Sequence, residues 1–158
     1  MKTNVLFVCS HNTTRSQIAQ ALLSKFGGED FIVESAGIEP GKLNPMAVEI
    51  MKNEEDMDIS SYETNKIIDY FKEGKHYHYV ITVCDEAKKE TCPIFPGLDA
   101  VLHWNISSPA TSSEDYQVRY DLVKKSKEQI KEQVLKLVEL VRNDHKKDGF
   151  PQEWHANN

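Results

Sequence analysis

The chain has 158 residues, a formal charge of −6 at neutral pH and three cysteines, with acidic and basic residues interspersed. That length fits one domain with a real core, and the scattered, mildly acidic charge argues against a nucleic-acid or anionic-membrane partner. No apolar run approaches the roughly 20 residues of a membrane span, and Met1-Lys2-Thr3-Asn4 leads straight into a strand without the apolar core of a signal peptide, so a cytoplasmic protein is expected. In a reducing compartment an odd set of thiols without zinc-finger spacing reads as redox or catalytic, not as a structural staple.

Val5 to Val8 is an unbroken apolar run of strand length, and Ile18, Ala19, Leu22 and Phe26 follow at helical spacing, so the chain opens as strand, loop and helix. Phe31 to Ala36, between Gly27-Gly28 and Gly37, predicts a second strand. Asn44-Pro45 predicts an N-cap and a first-turn proline for a helix with the apolar face Ala47, Ile50 and Met51. Asn65 reads as the cap of a short helix through Ile67, Ile68 and Phe71, stopped by Gly74. Tyr77 to Cys84 is the longest β-type run, and its near-continuous apolar end suits a strand buried on both faces.

Asp85 to Thr91 predicts about two helical turns, ended by Cys92-Pro93. Ala100 to Trp104 predicts a fourth strand, and a long helix from about Asp115 to Arg142 carries the apolar stripe Val123, Ile130, Val134, Leu137, Val138 and Val141. From Asn143 to Asn158 the periodicity stops and a frayed polar tail is expected. Alternating strands and helices on short connections imply right-handed crossovers. The expected fold is α/β and three-layered, a four-stranded parallel sheet in the order 2-1-3-4 flanked by helices. One catalytic domain would span 1–142, with the tail over 143–158.

The chemistry concentrates at the first loop. Cys9 closes the first strand, Ser10, His11, Asn12, Thr13 and Thr14 form a polar turn, and Arg15 and Ser16 open the helix. Thr13 and Thr14 sit at the N-cap, so the loop ends on unpaired N–H groups at the positive end of a helix dipole, which is an anion site. A thiolate there is a nucleophile, the planar fork of Arg15 can grip two oxygens of a tetrahedral oxyanion, and Ser16 is placed to donate to the sulfur. The plainer alternative makes Cys9 a small buried hydrophobe and Arg15 a surface cation. Cys84 closes the third strand as Cys9 closes the first, and ligands of open α/β sheets sit beyond the carboxyl ends of parallel strands, so the two thiols are expected to face one site.

Those residues resemble the low-molecular-weight tyrosine phosphatase superfamily and, within it, the thioredoxin-coupled arsenate reductases. The resemblance runs from Val5 to about Val141. It rests on the Cys-x5-Arg-Ser loop with Asn12 inside it, Gln17 and Ala19, Glu34-Ser35-Ala36-Gly37-Ile38, Asn44-Pro45-Met46-Ala47, Asp58-Ile59-Ser60 and Ile67-Ile68-Asp69. Thr82-Val83-Cys84, Cys92-Pro93 and His103-Trp104 complete it.

The resemblance implies that arsenate, or phosphate or sulfate as mimics, docks in the loop against the backbone N–H groups of Ser10 to Arg15 and the Arg15 fork. Cys9 would attack arsenic, Cys84 would then attack Cys9 and release arsenite, and Cys92 would take over to leave a redox-active Cys84–Cys92 disulfide for thioredoxin to reduce. No bound cofactor or metal is implied, and a monomer is expected. A helical 85–91 segment would hold Cys84 and Cys92 roughly 12 Å apart along its axis, whereas a disulfide needs Cα atoms within about 7 Å. The segment must therefore unwind or loop out during the cycle.

Three positions depart from the family pattern. His11 stands where the family usually has glycine, and is expected to point to solvent. Ser108-Pro109 replaces the Asp-Pro pair whose aspartate is the general acid, with Glu114 or Asp115 as nearby substitutes. Where some relatives hold potassium, this chain has Asn12, Gln20, Ser35 and Lys66, so Lys66 is expected to take the place of the ion. His76, His78 and His103 read as core or rim residues and Trp104 as core. Two other functions fit the loop: phosphate monoester hydrolysis by a small tyrosine phosphatase, and oxyanion binding without catalysis.

Overall fold

The computed structural model describes residues 2–86 and 101–147. Strand β1 (Thr3–Cys9) leads through the polar loop into α1 (Arg15–Gly27), and a 3-10 turn precedes β2 (Phe31–Gly37). Helices α2 (Pro45–Glu55) and α3 (Ile67–Lys72) follow, then β3 (Tyr79–Cys84), β4 (Val101–Asn105) and α4 (Tyr116–Lys147). The sheet runs β2-β1-β3-β4 and every neighbouring pair is parallel. This is the expected order. Beyond Glu86, the helix predicted for 85–91 and the Cys92-Pro93 stop lie outside the described residues.

Strand alternation divides the core into two layers. Val5, Phe7, Ile81, Val83 and Trp104 face Ile18 and Leu22 of α1 and the stripe Val123, Ile130, Val134 and Val141 of α4. Leu6, Val8, Ala36 and Val80 face the other way, against Ile67 of α3 with Tyr70 and Phe71 beside it. Trp104 packs 5.3 Å from the Phe7 ring, centroid to centroid, as a core residue.

Helix ends follow local chemistry at some positions and long-range contacts at others. Asn44 caps α2, its Oδ1 accepting from Met46 N at 2.9 Å with Pro45 in the first turn. Asn65 does not cap α3. That position belongs to Lys66, because Asn65 is drawn toward the first loop: its N–H donates to Asn12 Oδ1 and its amide to the Ser35 carbonyl. Thr14 holds the N-cap position of α1 without a side-chain cap bond, since its hydroxyl accepts from Asn44 Nδ2. Asp115 starts α4 by accepting from Gln117 and Val118 N–H, and the helix runs to Lys147, five residues past the predicted end at Arg142.

A buried ion cluster ties α2 to α4. Glu55, 4 % exposed, accepts from Lys127, itself 1 % exposed, at 2.9 Å and from Lys131 at 3.1 Å, with Lys25 of α1 at 3.5 Å. Burial pushes the Glu55 carboxyl up, but the hydrogen bonds from Lys127 and Lys131 outweigh it and hold the group below its ordinary 4.5. Burial likewise pushes Lys127 down, and its bonds to Glu128 and Glu55 more than reverse that.

Glu55→Ala takes from Lys127 its buried counter-charge, leaving only the exposed Glu128, and is expected to lower unfolding free energy by about 3 kcal/mol in a urea titration. Because the folded carboxyl titrates below its unfolded value, the Glu55 contribution is whole above about pH 4.5 and fades as pH falls through the folded value. The gap between wild type and Glu55→Ala therefore narrows in acid. The raised Lys127 contributes fully below 10.5 and loses its share only as pH rises through its folded value.

Among the described residues no helix is long and apolar enough to cross a membrane, and no group of three or more His, Cys, Asp or Glu is placed to hold a metal ion.

Candidate active site

Loop 10–14 is anchored from outside by its own carbonyls. Ser10 O accepts from Glu39 N, His11 O from Gly41 N, and Thr13 O from Asn44 N, at 2.9 to 3.0 Å. Asn12 O accepts from Gln17 Nε2 at 2.9 Å. In a trans peptide the N–H points opposite to the C=O. Four outward carbonyls therefore turn the N–H groups of His11, Asn12, Thr13 and Thr14 inward, a concave nest of donors at the N-terminus of α1.

Asn12 holds the turn. Its φ of +57° is the left-handed region that asparagine tolerates and bulkier residues do not. Its side chain binds in two directions, Nδ2 donating to Ser16 Oγ at 2.7 Å and Oδ1 accepting from Asn65 N at 2.8 Å. Since Ser16 Oγ already accepts from Asn12, its own proton is free for Cys9 Sγ at 3.0 Å. Asn12 N–H donates to the same sulfur at 3.1 Å. Two donors thus converge on Cys9, the surroundings a thiolate nucleophile requires.

The nest opens into a cavity of about 390 Å³ lined by Cys9, Ser10, His11, Thr13, Thr14, Arg15, Asn44, Ser108, Pro109 and Ala110. Arg15 is 8 % exposed and its Nη1 donates to Ile106 O at 3.3 Å, which steadies the guanidinium from the β4 side. Ser16 and Asn12 lie beneath the cavity, holding the sulfur and the turn.

Gly37 crosses directly under the loop. A Cβ there would stand 2.9 Å from Asn12 N, 2.9 Å from the His11 carbonyl carbon and 3.0 Å from Ser10 O, all backbone atoms. Gly37→Ala is expected to push the nest open. Stability would fall by about 1–3 kcal/mol, and phosphate affinity, measured by calorimetry, would fall at least tenfold.

His11 is exposed, with Nδ1 3.0 Å from Glu39 O. A carbonyl only accepts, so Nδ1 carries the proton; the residue is exposed, as expected, and also lines the cavity. Ser108 and Pro109 also line the cavity, at the position where the family pattern has its Asp-Pro pair. Glu114 and Asp115 are exposed and outside the cavity, and the Asp115 carboxylate is used in capping α4, so neither replaces the missing acid.

Lys66 does not fill the potassium position. It is exposed, and among the described residues its side chain makes no hydrogen bond or ion pair. Asn12 Oδ1 is taken by Asn65 N–H, and Ser35 Oγ donates to Gln20 Oε1 at 2.6 Å. Internal hydrogen bonds satisfy these groups.

Cys9 and Cys84 are not brought to one surface. Register pairs Val8 with Thr82, so Cys9 shares the face of Val5, Phe7 and Ile81, and Cys84 the opposite face, with Val80 and Thr82. Only Cys9 lines the cavity. Cys9 is a free, buried thiol, whereas Cys84 is disulfide-bonded. Cys92 lies outside the described residues.

Sequence reasoning missed three contributors. Asn44, read only as a helix cap, also lines the cavity and binds Thr14 Oγ1. Gln17, fully buried, locks the loop through Asn12 O and Glu63 O. Asp85, 5 % exposed, accepts the Ser108 N–H at 2.7 Å and so holds the Ser108 part of the cavity lining. A carboxylate directly after a strand-end cysteine was the available signal for Asp85.

A thiol at the floor of an oxyanion nest at the carboxyl edge of a parallel sheet defines the class. The chain belongs to the low molecular weight phosphotyrosine protein phosphatase family, whose model matches residues 4–147. Among individual proteins it is similar to the arsenate reductase of Staphylococcus xylosus, 38 % identical over 123 residues, which are 77 % of this chain and 91 % of the relative. Its fold matches a thioredoxin-dependent arsenate reductase of Corynebacterium glutamicum with a TM-score of 0.64 and 28 % identity, over 90 % of this chain and 63 % of that one. An arsenate reductase solved in its oxidized state matches with a TM-score of 0.68 and 26 % identity, over 89 % of this chain and 99 % of that one.

Proposed function

We propose that this chain reduces arsenate to arsenite with Cys9 as nucleophile and regenerates itself by relaying a disulfide outward through Cys84 and Cys92 to thioredoxin. The observation that carries the reading is the division of labour between the described thiols: Cys9 is free beneath the nest while Cys84 is already in a disulfide. A phosphatase needs only the first of these. The likeness to arsenate reductases in sequence and fold supports the same choice.

Arsenate binds with its oxygens on the inward N–H groups of His11 to Thr14 and on Arg15. The Cys9 thiolate attacks arsenic, an As–O bond breaks, and hydroxide leaves as water after taking a proton. Cys84 thiolate then attacks Cys9 Sγ. As the S–S bond forms, the S–As bond breaks and its electron pair stays on arsenic, so arsenic(V) becomes arsenic(III) while two thiols become one disulfide. Cys92 thiolate attacks Cys84, Cys9 departs as thiolate, and the Cys84–Cys92 disulfide passes to the thioredoxin dithiol.

Because Cys84 stands on the opposite sheet face from Cys9, the second step needs the carboxyl end of β3 to rearrange. If 85–91 is the helix that the sequence predicts, it must unwind for Cys84 and Cys92 to join, and the same order change would free that strand end.

Arsenate-dependent NADPH oxidation, with thioredoxin and thioredoxin reductase, tests the reading. Wild type should turn over, and Cys84→Ser and Cys92→Ser should each stop after at most one equivalent. Sustained turnover in both variants would overturn the relay.

A further inference from the structure

The end of β4 grips the residues on either side of Cys84. Ile106 N donates to Cys84 O at 2.8 Å, and Asn105 Oδ1 accepts from Glu86 N at 3.0 Å. His103 adds the side-chain part of the grip. Its Nε2 is 2.7 Å from Glu86 Oε2 and its Nδ1 is 3.0 Å from Thr82 Oγ1. One imidazole thus bridges the residue two before Cys84 and the residue two after it.

Register fixes where that ring lies. His103 pairs with Thr82 and Asn105 with Cys84, and paired residues of parallel strands share a face. His103 is therefore a diagonal neighbour of Cys84 on the same face of the sheet.

The bridge works in either charge state. A neutral ring donates Nε2–H to Glu86 and accepts the Thr82 hydroxyl at Nδ1. An imidazolium donates from both nitrogens, and the Thr82 hydroxyl turns to the Leu102 carbonyl, 3.4 Å away. In both forms the ring keeps its two side-chain partners, Glu86 and Thr82.

We propose that His103 is a positioning and electrostatic residue for Cys84, holding the strand end in place and stabilising the Cys84 thiolate with an imidazolium. Among the described residues the titratable groups around the ring are Glu86, in contact, Cys84 at the end of β3 and Asp85 just after it. Asp85 is turned to Ser108 N, and the neighbours Leu102 and Trp104 on β4 carry no charge. The use made of that thiolate rests on the relay reading. When an external dithiol opens the Cys84 disulfide at its partner sulfur, the S–S bond breaks, Cys84 keeps the electron pair, and the imidazolium stabilises the departing thiolate.

The test does not involve arsenate. In reduced protein carrying Cys9→Ser and Cys92→Ser, Cys84 is the sole thiol, and ultraviolet absorbance of the thiolate is followed against pH. His103→Gln keeps a hydrogen-bond donor without the charge, and should raise the Cys84 midpoint by about one unit, the low end of what a nearby opposite charge produces. His103→Arg keeps a permanent cation able to reach Glu86 and should leave the midpoint at or below that of the parent. If all three profiles coincide, or if glutamine and arginine raise the midpoint equally, the proposal is overturned. The second pattern would mark a purely structural residue. Failure of the relay would appear instead in the arsenate assay, with the thiolate profiles unaffected.

Discussion

Cys9→Ser should bind phosphate as wild type does and reduce no arsenate. The serine hydroxyl would sit where Sγ accepts from Asn12 N and Ser16 Oγ, so the nest and its carbonyl anchors stay intact and the anion still finds its donors. Chemistry stops for two separate reasons. A hydroxyl at neutral pH is a weak nucleophile unless a base takes its proton, and the partners of Cys9 Sγ are donors. An oxygen also cannot enter the disulfide that supplies electrons to arsenic. Turnover should drop by at least about 10⁴-fold, to the background reached when a nucleophile is removed from an otherwise complete site. Calorimetry with phosphate and the thioredoxin-coupled assay separate the two effects. Loss of phosphate binding together with activity would mean that the sulfur shapes the nest. Arg15→Lys offers a contrast, because it exchanges a planar fork for a point charge and should weaken binding and turnover together, turnover by about 10²–10³-fold.

The second large effect is a gain. Ser108→Asp should raise hydrolysis of an aryl phosphate by about 10²–10⁴-fold, the usual contribution of general acid catalysis. Ser108 lines the cavity and its backbone is fixed by Asp85 Oδ2 at 2.7 Å, so a new carboxyl group there would serve the leaving oxygen from a held position. The neighbouring Asp85 carboxylate would disfavour a second negative charge and keep the new group protonated, as an acid must be. Arsenate reduction should change little, since arsenic–oxygen bonds exchange readily. Unchanged hydrolysis in Ser108→Asp would show that something other than the missing acid limits ester cleavage.

Much of this architecture could be read in the residues because local and global signals agree. The run Val5 to Val8, the apolar stripe of α4 and the Asn44-Pro45 start of α2 each point to one element, and strand–helix alternation leaves few topologies. Cys9, Arg15 and Ser16 were equally plain, since strand, turn and helix fix their relation within eight residues. What escaped depends on contacts across long stretches of chain. Asn65 looked like a helix cap and instead reaches Asn12, 53 residues away. Asp85 serves the Ser108 loop 23 residues on. Lys66 seemed a ready substitute for a cation, yet neighbouring amides and hydroxyls satisfy the same oxygens. The placement of Cys84 also misled: both cysteines end parallel strands, but the register sets them one residue out of phase, and a shift of one residue in a strand changes the face.

That phase difference makes the meeting of Cys9 and Cys84 the central claim. Cys92→Ser removes the thiol that would carry the disulfide onward, so a reduced sample of this variant given one equivalent of arsenate should stop at the first disulfide. Peptide mass mapping after acid quench should then find Cys9 joined to Cys84, with one arsenite released per chain. Arsenite release with Cys9 and Cys84 both still present as free thiols, or no release at all while wild type turns over, would contradict the account.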